Sequence, residues 1–430
     1  KSIYERKVCM FKKIVSLLLA GVMILSLASC GDSQEGGSGG EKTKISFSYW
    51  NSEETVKPLL KLLKDKLPDI EIEYNYVSNS SYGTAIQTKL ISGSGDDLMA
   101  FSELDVMTLG KQGLIDDLTE GYKDLFAESG TQPYTVDGKL YAVPMLNWYE
   151  GIFYNKEIFE QYGVEVPTTF DEFTALCETL NGKGVKALTI GAKDGSTLLK
   201  SCLGYVQSEY ILTDAGKDFD AKFAKGETTL AGNWNSYIEK WTDLIKKGII
   251  TSEALGIDDN QALDEFATGK AAMWASGCWS YENIKQKNIN MQFGMFPYLG
   301  STAEKSSLVG SSGAGIAVNS KSKNKEAAYK VLDVICSPEG QQALIEGQPG
   351  SSSYLKGLES ELPEEYDGVK AVLESGRVHC CWSNWGYATN CFNDFTQGLQ
   401  GLVAEQVSIS DMLKEVDRVA QSYVRGGGSE

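Results

Sequence analysis

Residues 151–173 read GIFYNKEIFEQYGVEVPTTFDEF, and this stretch is the part of the sequence that decides the fold. The opening GIFY predicts a strand, because aromatic and β-branched side chains favour strands. Thr169 and Glu172 then stand three residues apart, which is the spacing of a capping box at the start of a helix. The predicted helix buries a face of residues at helical spacing, namely Phe170, Phe173, Leu176, Cys177 and Leu180. A strand followed by an amphipathic helix is the building unit of an α/β fold with a largely parallel sheet.

The same alternation of strand and helix patterns extends to both sides of this stretch. Strand patterns fall at residues 45–49, 70–76 and 98–101, and helical spacing of apolar residues falls at residues 56–67, 234–245 and 409–423. Trp234 and Trp241 lie on one face of the second of these helices, and we expect both to be buried. The patterned part is longer than the ~250–300 residues at which a single core stops growing, so two domains are expected.

Residues 154–173 closely resemble a signature of the extracellular solute-binding proteins of bacterial carbohydrate ABC transporters, the maltose-binding-protein class. Three further stretches resemble the same family in its order: residues 134–144 (YTVDGKLYAVP), residues 266–279 (FATGKAAMWASGCW) and residues 313–330. The resemblance implies a two-lobed periplasmic-binding-protein fold of type II. In that fold each lobe is a mostly parallel sheet flanked by helices, and a hinge joins the lobes with a ligand cleft between them.

The resemblance also implies domain boundaries. Lobe one is expected to comprise residues 42–138 and 313–350, and lobe two residues 139–312 and 351–425. Residues 426–430 are expected to form a flexible tail.

The N-terminal 30 residues have the parts of a secretory signal peptide. Lys12 and Lys13 precede an apolar run from Ile14 to Leu27, and the sequence Leu-Ala-Ser-Cys that ends at Cys30 resembles a bacterial lipobox. The alternative is a transmembrane helix, but the run is shorter than the ~20 residues that a spanning helix needs. We therefore expect Met10 to be the start, Cys30 to carry a lipid, and the protein to be anchored on the extracytoplasmic face of the cell membrane. The Gly/Ser-rich residues 31–41 are expected to form a flexible tether.

Composition excludes several classes of function. The net charge is −18, which argues against nucleic-acid binding and against broad adhesion to anionic lipid. A single histidine, His379, and the absence of a C-x-x-C pair argue against a zinc site, and no cofactor is expected. Cys380 and Cys381 are adjacent and either pack as ordinary thiols or close a vicinal disulfide.

A sugar ring presents an apolar face and a rim of hydroxyls, so its site needs aromatic rings and planar hydrogen-bonding groups. Such residues follow predicted strand ends or crossings between the lobes. The predicted ligand-binding residues are Trp50, Asn51, Glu53, Asp97, Glu103, Asn147, Trp148, Trp279, Trp382 and Trp385. Trp279 matches an aromatic residue that the family uses as a ligand platform. The alternatives are core packing for the tryptophans, a loop or cap role for Asp97, and a solvated first-turn acid for Glu53.

The resemblance implies a monomeric, lipid-anchored binding protein that captures a neutral carbohydrate, an oligosaccharide, and delivers it to an ABC transporter permease. Two alternatives stay open: the same fold binding a peptide, polyamine or metal chelate, and a secreted lipoprotein glycoside hydrolase. Hydrolysis is disfavoured because the adjacent acids Asp96 and Asp97 would point to opposite faces of a strand. An anionic ligand is disfavoured because only three arginines follow residue 30. We therefore do not expect an enzyme.

Overall fold

The computed structural model describes residues 42–359, 361–385 and 388–425. The predicted signal peptide with Cys30, the tether of residues 31–41 and the tail of residues 426–430 lie outside the described residues. Within the described part of the chain, no helix is both long and apolar enough to span a membrane.

The strands of the described residues form two large sheets and one small hairpin. In chain order the strands are β1 Thr43–Tyr49, β2 Ile70–Tyr76, β3 Leu98–Phe101, β4 Thr135–Val136, β5 Lys139–Leu140, β6 Val143–Pro144, β7 Asn147–Asn155, β8 Lys186–Thr189, β9 Ala271–Gly277, β10 Phe293–Phe296, β11 Leu308–Ser312, β12 Gly315–Val318 and β13 Val378–His379. The first sheet has the order β2-β1-β3-β12-β6, and the second has the order β13-β11-β7-β9-β8 with β10 also paired to β7.

Helices flank both sheets. Those of the first lobe are Glu53–Lys66, Asn79–Ile91, Glu103–Lys111, Thr119–Tyr122, Glu128–Thr131, Lys325–Ile335 and Pro338–Gly347. Those of the second lobe are Lys156–Tyr162, Phe170–Gly182, Ser196–Val206, Phe219–Ala224, Asn235–Trp241, Asp243–Lys246, Asp259–Ala267, Tyr281–Lys287, Asp367–Glu374, Ala388–Val403 and Ile409–Arg425. Each lobe has buried side chains that form its own core.

Residues 151–173 form the strand and the helix start that their pattern predicts, but the predicted capping box is incomplete, because Glu172 Oε2 accepts from the Thr168 amide at 2.8 Å and not from Thr169. Asn155 caps the helix Lys156–Tyr162 by accepting a hydrogen bond from the Ile158 amide at 3.1 Å, and Gly163 ends that helix in the left-handed region at φ 62°. Thr169 accepts from the Glu172 amide at 3.3 Å and starts the helix Phe170–Gly182. The two-lobed α/β fold class is therefore confirmed.

Strand direction differs from the expectation of mostly parallel sheets. In the first sheet β1 is parallel to β2 and β3, but β12 is antiparallel to β3 and β6. In the second sheet the long strand β7 is antiparallel to β9, β10 and β11. Both sheets therefore contain parallel and antiparallel strand pairs. The antiparallel pairs arise because the chain crosses between the lobes and enters strands that run in the opposite direction to their neighbours.

The crossings between the lobes lie close together. The chain leaves the first sheet after β6 and enters the second at Asn147, and it returns between Ser312 and Gly315. The Gly313 amide donates to the Leu146 carbonyl at 2.9 Å, and the Asn147 amide donates to the Ser352 carbonyl at 2.9 Å. Three segments of the chain therefore meet at one junction.

Some residues near the expected lobe boundaries pack on the other lobe. Leu140, Val143 and Leu146 belong to the core of the first lobe, as does Leu355, although the sequence analysis assigned residues 139–146 and 351–358 to lobe two. The reason is that β6 adds to the edge of the first sheet before the chain crosses.

The predicted core tryptophans and the cysteines are buried. Trp234 and Trp241 are both 0% exposed in the core of the second lobe, which confirms the sequence expectation. The cysteines of the described residues are free thiols and buried, including Cys380 and Cys381. The adjacent pair therefore packs as ordinary side chains.

Candidate functional site

A cleft of about 1200 Å³ runs between the two lobes. The wall from the first lobe includes Glu103, Gln132 and Thr135. The wall from the second lobe is formed by residues 310–312 at the end of β11 and by residues 361–383. The cleft thus lies beyond the ends of strands from both sheets, which is where open α/β sheets bind ligands.

Three of the predicted tryptophans form one aromatic cluster beside this cleft. The ring centroids of Trp148 and Trp279 are 6.2 Å apart, and those of Trp148 and Trp382 are 6.5 Å apart. Trp279 is 38% exposed, although most large apolar side chains of the described residues are buried. We call Trp148, Trp279 and Trp382 the aromatic cluster. The three rings come from different parts of the sequence and present an apolar surface at one edge of the second sheet.

The second sheet explains why these rings meet. Because β7 runs antiparallel to β9 and β11, the start of β7 lies at the same edge as the ends of β9 and β11. Trp148 is the second residue of β7 and pairs with Ser311, a residue of the cleft wall. Trp279 follows β9, and its ring folds back over Gly277, where a Cβ would collide with it. The glycine therefore allows the ring to lie against the sheet edge.

A buried ion pair lies next to the aromatic cluster. Lys200 Nζ donates to Glu150 Oε2 at 2.8 Å, and Tyr298 Oη donates to Glu150 Oε1 at 2.8 Å. The Glu150 side chain is fully buried. Burial raises the pKa of Glu150, while the Lys200 charge and the two hydrogen bonds oppose that rise.

Glu103 connects the first lobe to the cleft wall of the second. It is the first residue of the helix Glu103–Lys111, which Ser102 caps directly after β3. Ser311 Oγ donates to Glu103 Oε1 at 2.5 Å. Burial raises the pKa of Glu103, and the hydroxyls of Ser311 and Ser383 oppose the rise. A carboxylate of this kind can accept hydrogen bonds from ligand hydroxyl groups.

Asn147 lies in the cleft wall at the junction of the crossings. Its Oδ1 accepts a hydrogen bond from the Ser352 amide at 2.7 Å. The side-chain oxygen of Asn147 is therefore already hydrogen-bonded to the backbone, and Asn147 helps to hold two crossing segments together.

Trp50, Asn51 and Glu53 follow β1, at the carboxyl edge of the first sheet. The Trp50 ring packs edge-on against Tyr49 and Tyr82, with centroids 5.1 Å away in both cases. Asn51 Nδ2 is a buried donor without a hydrogen-bond partner in the described part of the chain. Glu53 is exposed in the first turn of the helix Glu53–Lys66. The described residues that line the 1200 Å³ cleft do not include these three residues, so their role in ligand binding stays a prediction.

Two of the predicted site residues lie elsewhere. Trp385 is 1% exposed, packs on Phe223 and Trp234, and donates from Nε1 to Asp220 at 3.2 Å. The prediction that Trp385 binds ligand is therefore wrong, because its ring fills the core of the second lobe.

Asp97 lies at the opposite end of β3 from Glu103. Its Oδ2 accepts from the Ser46 amide at 3.0 Å and its Oδ1 accepts from Ser322 Oγ at 2.6 Å. Asp97 precedes β3 and Glu103 follows it, and the four residues of β3 between them span roughly 13 Å. The prediction of a ligand role for Asp97 is wrong; it ties strands together, as the alternative interpretation held.

The structure adds residues that the sequence analysis did not select. Lys200 contacts the aromatic cluster and pairs with Glu150, and Ser311 donates to Glu103. His379 lines the cleft, with its Nε2 2.7 Å from Asp220 Oδ2. Lys200 is the one charged residue in the helix Ser196–Val206, which is otherwise apolar or neutral. A lone charge in such a helix is the signal that could have identified it.

No group of three or more His, Cys, Asp or Glu side chains in the described residues is placed to hold a metal ion. The cleft lining instead includes serine and threonine hydroxyls and the carboxylates of Glu103, Glu361 and Glu374, and the aromatic cluster lies beside it. Such a surface can bind a polyhydroxylated molecule through ring stacking and hydrogen bonds.

The comparisons with known proteins agree with this geometry. A family model for bacterial extracellular solute-binding proteins matches residues 49–342. The chain is 25% identical to the multiple sugar-binding protein of Streptococcus mutans over 364 residues, which cover 82% of this chain and 84% of that protein. It is 24% identical to the maltodextrin-binding protein MdxE of Bacillus subtilis over 351 residues, which cover 78% of this chain and 79% of that protein.

A solved structure is also similar. The family 1 extracellular solute-binding protein from Bifidobacterium longum subsp. infantis superimposes with a TM-score of 0.68 at 27% identity. The superposition covers 89% of this chain and 100% of that chain.

Proposed function

This chain belongs to the bacterial extracellular solute-binding proteins, and we propose that it captures a neutral oligosaccharide and delivers it to the permease of an ABC transporter. The observation that carries the proposal is the aromatic cluster beside the cleft, in which the Trp148 ring lies 6.2 Å from the Trp279 ring and 6.5 Å from the Trp382 ring. Stacking on aromatic faces is the general way in which proteins recognise the C–H face of a sugar.

Charge in the cleft supports a neutral ligand. Arg377 lies near the cleft wall, but its guanidinium donates to the backbone carbonyls of Leu212, Lys305 and Ser306. Lys370, which lines the cleft, is paired with Asp367 at 2.7 Å. The ammonium of Lys200 is paired with Glu150. A phosphate or carboxylate would need a cation that is not already occupied.

Cleft size and the relatives support an oligosaccharide. A volume of about 1200 Å³ exceeds the ~300–1,000 Å³ of common small-molecule pockets. Two of the similar proteins are a multiple sugar-binding protein and a maltodextrin-binding protein. The ligand of this chain is proposed to belong to the same chemical class.

Delivery requires the protein to stay near its transporter. The proposed anchor is a lipid on Cys30, followed by the tether of residues 31–41. The proposed action is that of a non-catalytic receptor. The adjacent acids Asp96 and Asp97 do not converge on a common point in the cleft, as a hydrolase would require, because Asp97 accepts hydrogen bonds from Ser46 and Ser322 instead.

A thermal-shift screen tests the proposal. The panel contains neutral mono- and oligosaccharides, a short peptide, a polyamine and a metal chelate. A ligand that binds only the native state stabilises it by RT ln(1 + [L]/Kd), about 2.7 kcal/mol at 100 times Kd. We expect a neutral oligosaccharide to raise the melting temperature most. A shift with the peptide, polyamine or chelate and none with any saccharide would refute the proposal.

A further inference from the structure

The ammonium group of Lys200 contacts two rings of the aromatic cluster at once. Lys200 Nζ lies 5.3 Å from the centroid of the Trp279 ring and 5.6 Å from that of Trp148. Both distances fall within the ~6 Å range of cation–π attraction. The same ammonium donates to Glu150 at 2.8 Å. Lys200 therefore joins two partly exposed rings to a buried carboxylate.

The position of this ammonium is set by the protein. Lysine usually keeps its charged end in water, but the Lys200 side chain is only 12% exposed. Glu150 is itself fixed, because its other oxygen accepts from Tyr298, a residue 4% exposed. A charge held at one point can restrict the orientations of the two rings that face it.

We propose that Lys200 is a positioning residue of the saccharide site, which holds the Trp148 and Trp279 rings in the arrangement that a sugar ring contacts. This inference rests on the proposed function. The two rings are tilted by 51° with centroids 6.2 Å apart, which is too close for a sugar ring to fit between them. Together they form one angled apolar surface against which a saccharide can lie. Rings that are already ordered lose less conformational entropy when the ligand binds.

A simpler role for Lys200 is that of a counter-ion which only neutralises Glu150. The two roles predict different outcomes when both charges are removed together. A counter-ion becomes unnecessary once Glu150 is neutral, whereas a positioning charge is still missing.

The experiment compares Lys200→Met with the double variant Lys200→Met/Glu150→Gln. The single variant leaves a buried carboxylate unpaired and should lose stability. The double variant keeps an oxygen for the Tyr298 hydroxyl and should recover most of that stability. Saccharide affinity is measured by calorimetry, stability by urea unfolding, and ring order by near-UV circular dichroism of the free protein.

A matched control exists in the same lobe. Lys285 Nζ lies 5.6 Å from the Tyr281 centroid and 4.9 Å from the Phe293 centroid, and it pairs with Glu365 at 3.0 Å. The variant Lys285→Met/Glu365→Gln removes the same chemistry outside the aromatic cluster. We expect its saccharide affinity to stay within about twofold of wild type.

For the double variant at Lys200 and Glu150 we expect near-wild-type stability, about tenfold weaker saccharide binding and a reduced near-UV signal. Wild-type affinity together with an unchanged near-UV spectrum would overturn the inference and leave Lys200 a counter-ion. If wild-type protein binds no saccharide, the proposed function fails on its own. The near-UV comparison of the free proteins then still decides whether Lys200 orders the rings.

Discussion

Trp279→Ala is the substitution that separates binding from folding most clearly. A tryptophan buries about 150–250 Å² when fully covered, and 38% of Trp279 is exposed in the free protein. Roughly 60–95 Å² is therefore left for a ligand to cover. At ~25 cal/mol per Å² this corresponds to about 1.4–2.4 kcal/mol, or about 10- to 60-fold in Kd. The loss of folding stability should be smaller than for a core tryptophan.

Trp241→Ala is the matched comparison. Trp241 is 0% exposed in the core of the second lobe, and truncation of a buried tryptophan typically costs ~3–5 kcal/mol of folding stability. Its effect on the affinity of the folded protein should be small. Calorimetry reports binding and urea unfolding reports stability. If Trp279→Ala binds saccharide like wild type but unfolds much more readily, the ring belongs to the core and the placement of the site is refuted.

Three further predictions address charge, anchoring and closure. Burial raises the pKa of Glu103 in the folded state, so the folded protein holds a proton more tightly than the unfolded chain, and this group's contribution to stability is lost as pH rises through the raised pKa. Glu103→Gln should make the urea stability less sensitive to pH above the ordinary glutamate pKa of about 4.3, and an unchanged pH profile would contradict this. Cys30→Ser should abolish fatty-acid labelling in a bacterial host, and a wild-type protein that takes up no label would show that Cys30 is not an anchor. Small-angle scattering should give a smaller radius of gyration with saturating saccharide, since lobes joined by a hinge close around ligand; superimposable curves would argue against closure.

The sequence predicted the fold from local signals that the structure retains. The capping residues Asn155 and Thr169 and the left-handed Gly163 lie in one short stretch, and each acts through neighbours three or four residues away. Such contacts can be deduced from spacing alone. Strand direction could not be deduced in this way, because it depends on where the chain crosses between lobes.

The predictions of site residues that were only partly correct have a common cause. Trp148 and Trp279 are brought together by the antiparallel pairing of β7 and β9, which the sequence did not predict. They were selected because each follows a predicted strand end or crossing between the lobes. Trp382 and Trp385 are three residues apart, yet only Trp385 turns into the core. Its partner is Asp220, far away in sequence, so no local pattern distinguishes the two rings.

The roles of the charged residues also depend on partners that are distant in sequence. Asp97 precedes β3 and Glu103 follows it, so the direction of the chain places Glu103 at the carboxyl end. The sequence does not show that Asp97 accepts hydrogen bonds from Ser46 and Ser322. Lys200 acts through contacts with Glu150 and two tryptophans that lie on other strands and turns. The sequence marks Lys200 as unusual within its helix but does not identify what the charge faces.

A crystal structure with the tightest-binding oligosaccharide tests the central claim most directly. The account predicts a sugar ring in van der Waals contact with Trp148 and Trp279, and a sugar hydroxyl within hydrogen-bond distance of the Glu103 carboxylate. A saccharide bound away from the aromatic cluster, with these rings in their free arrangement, would contradict it.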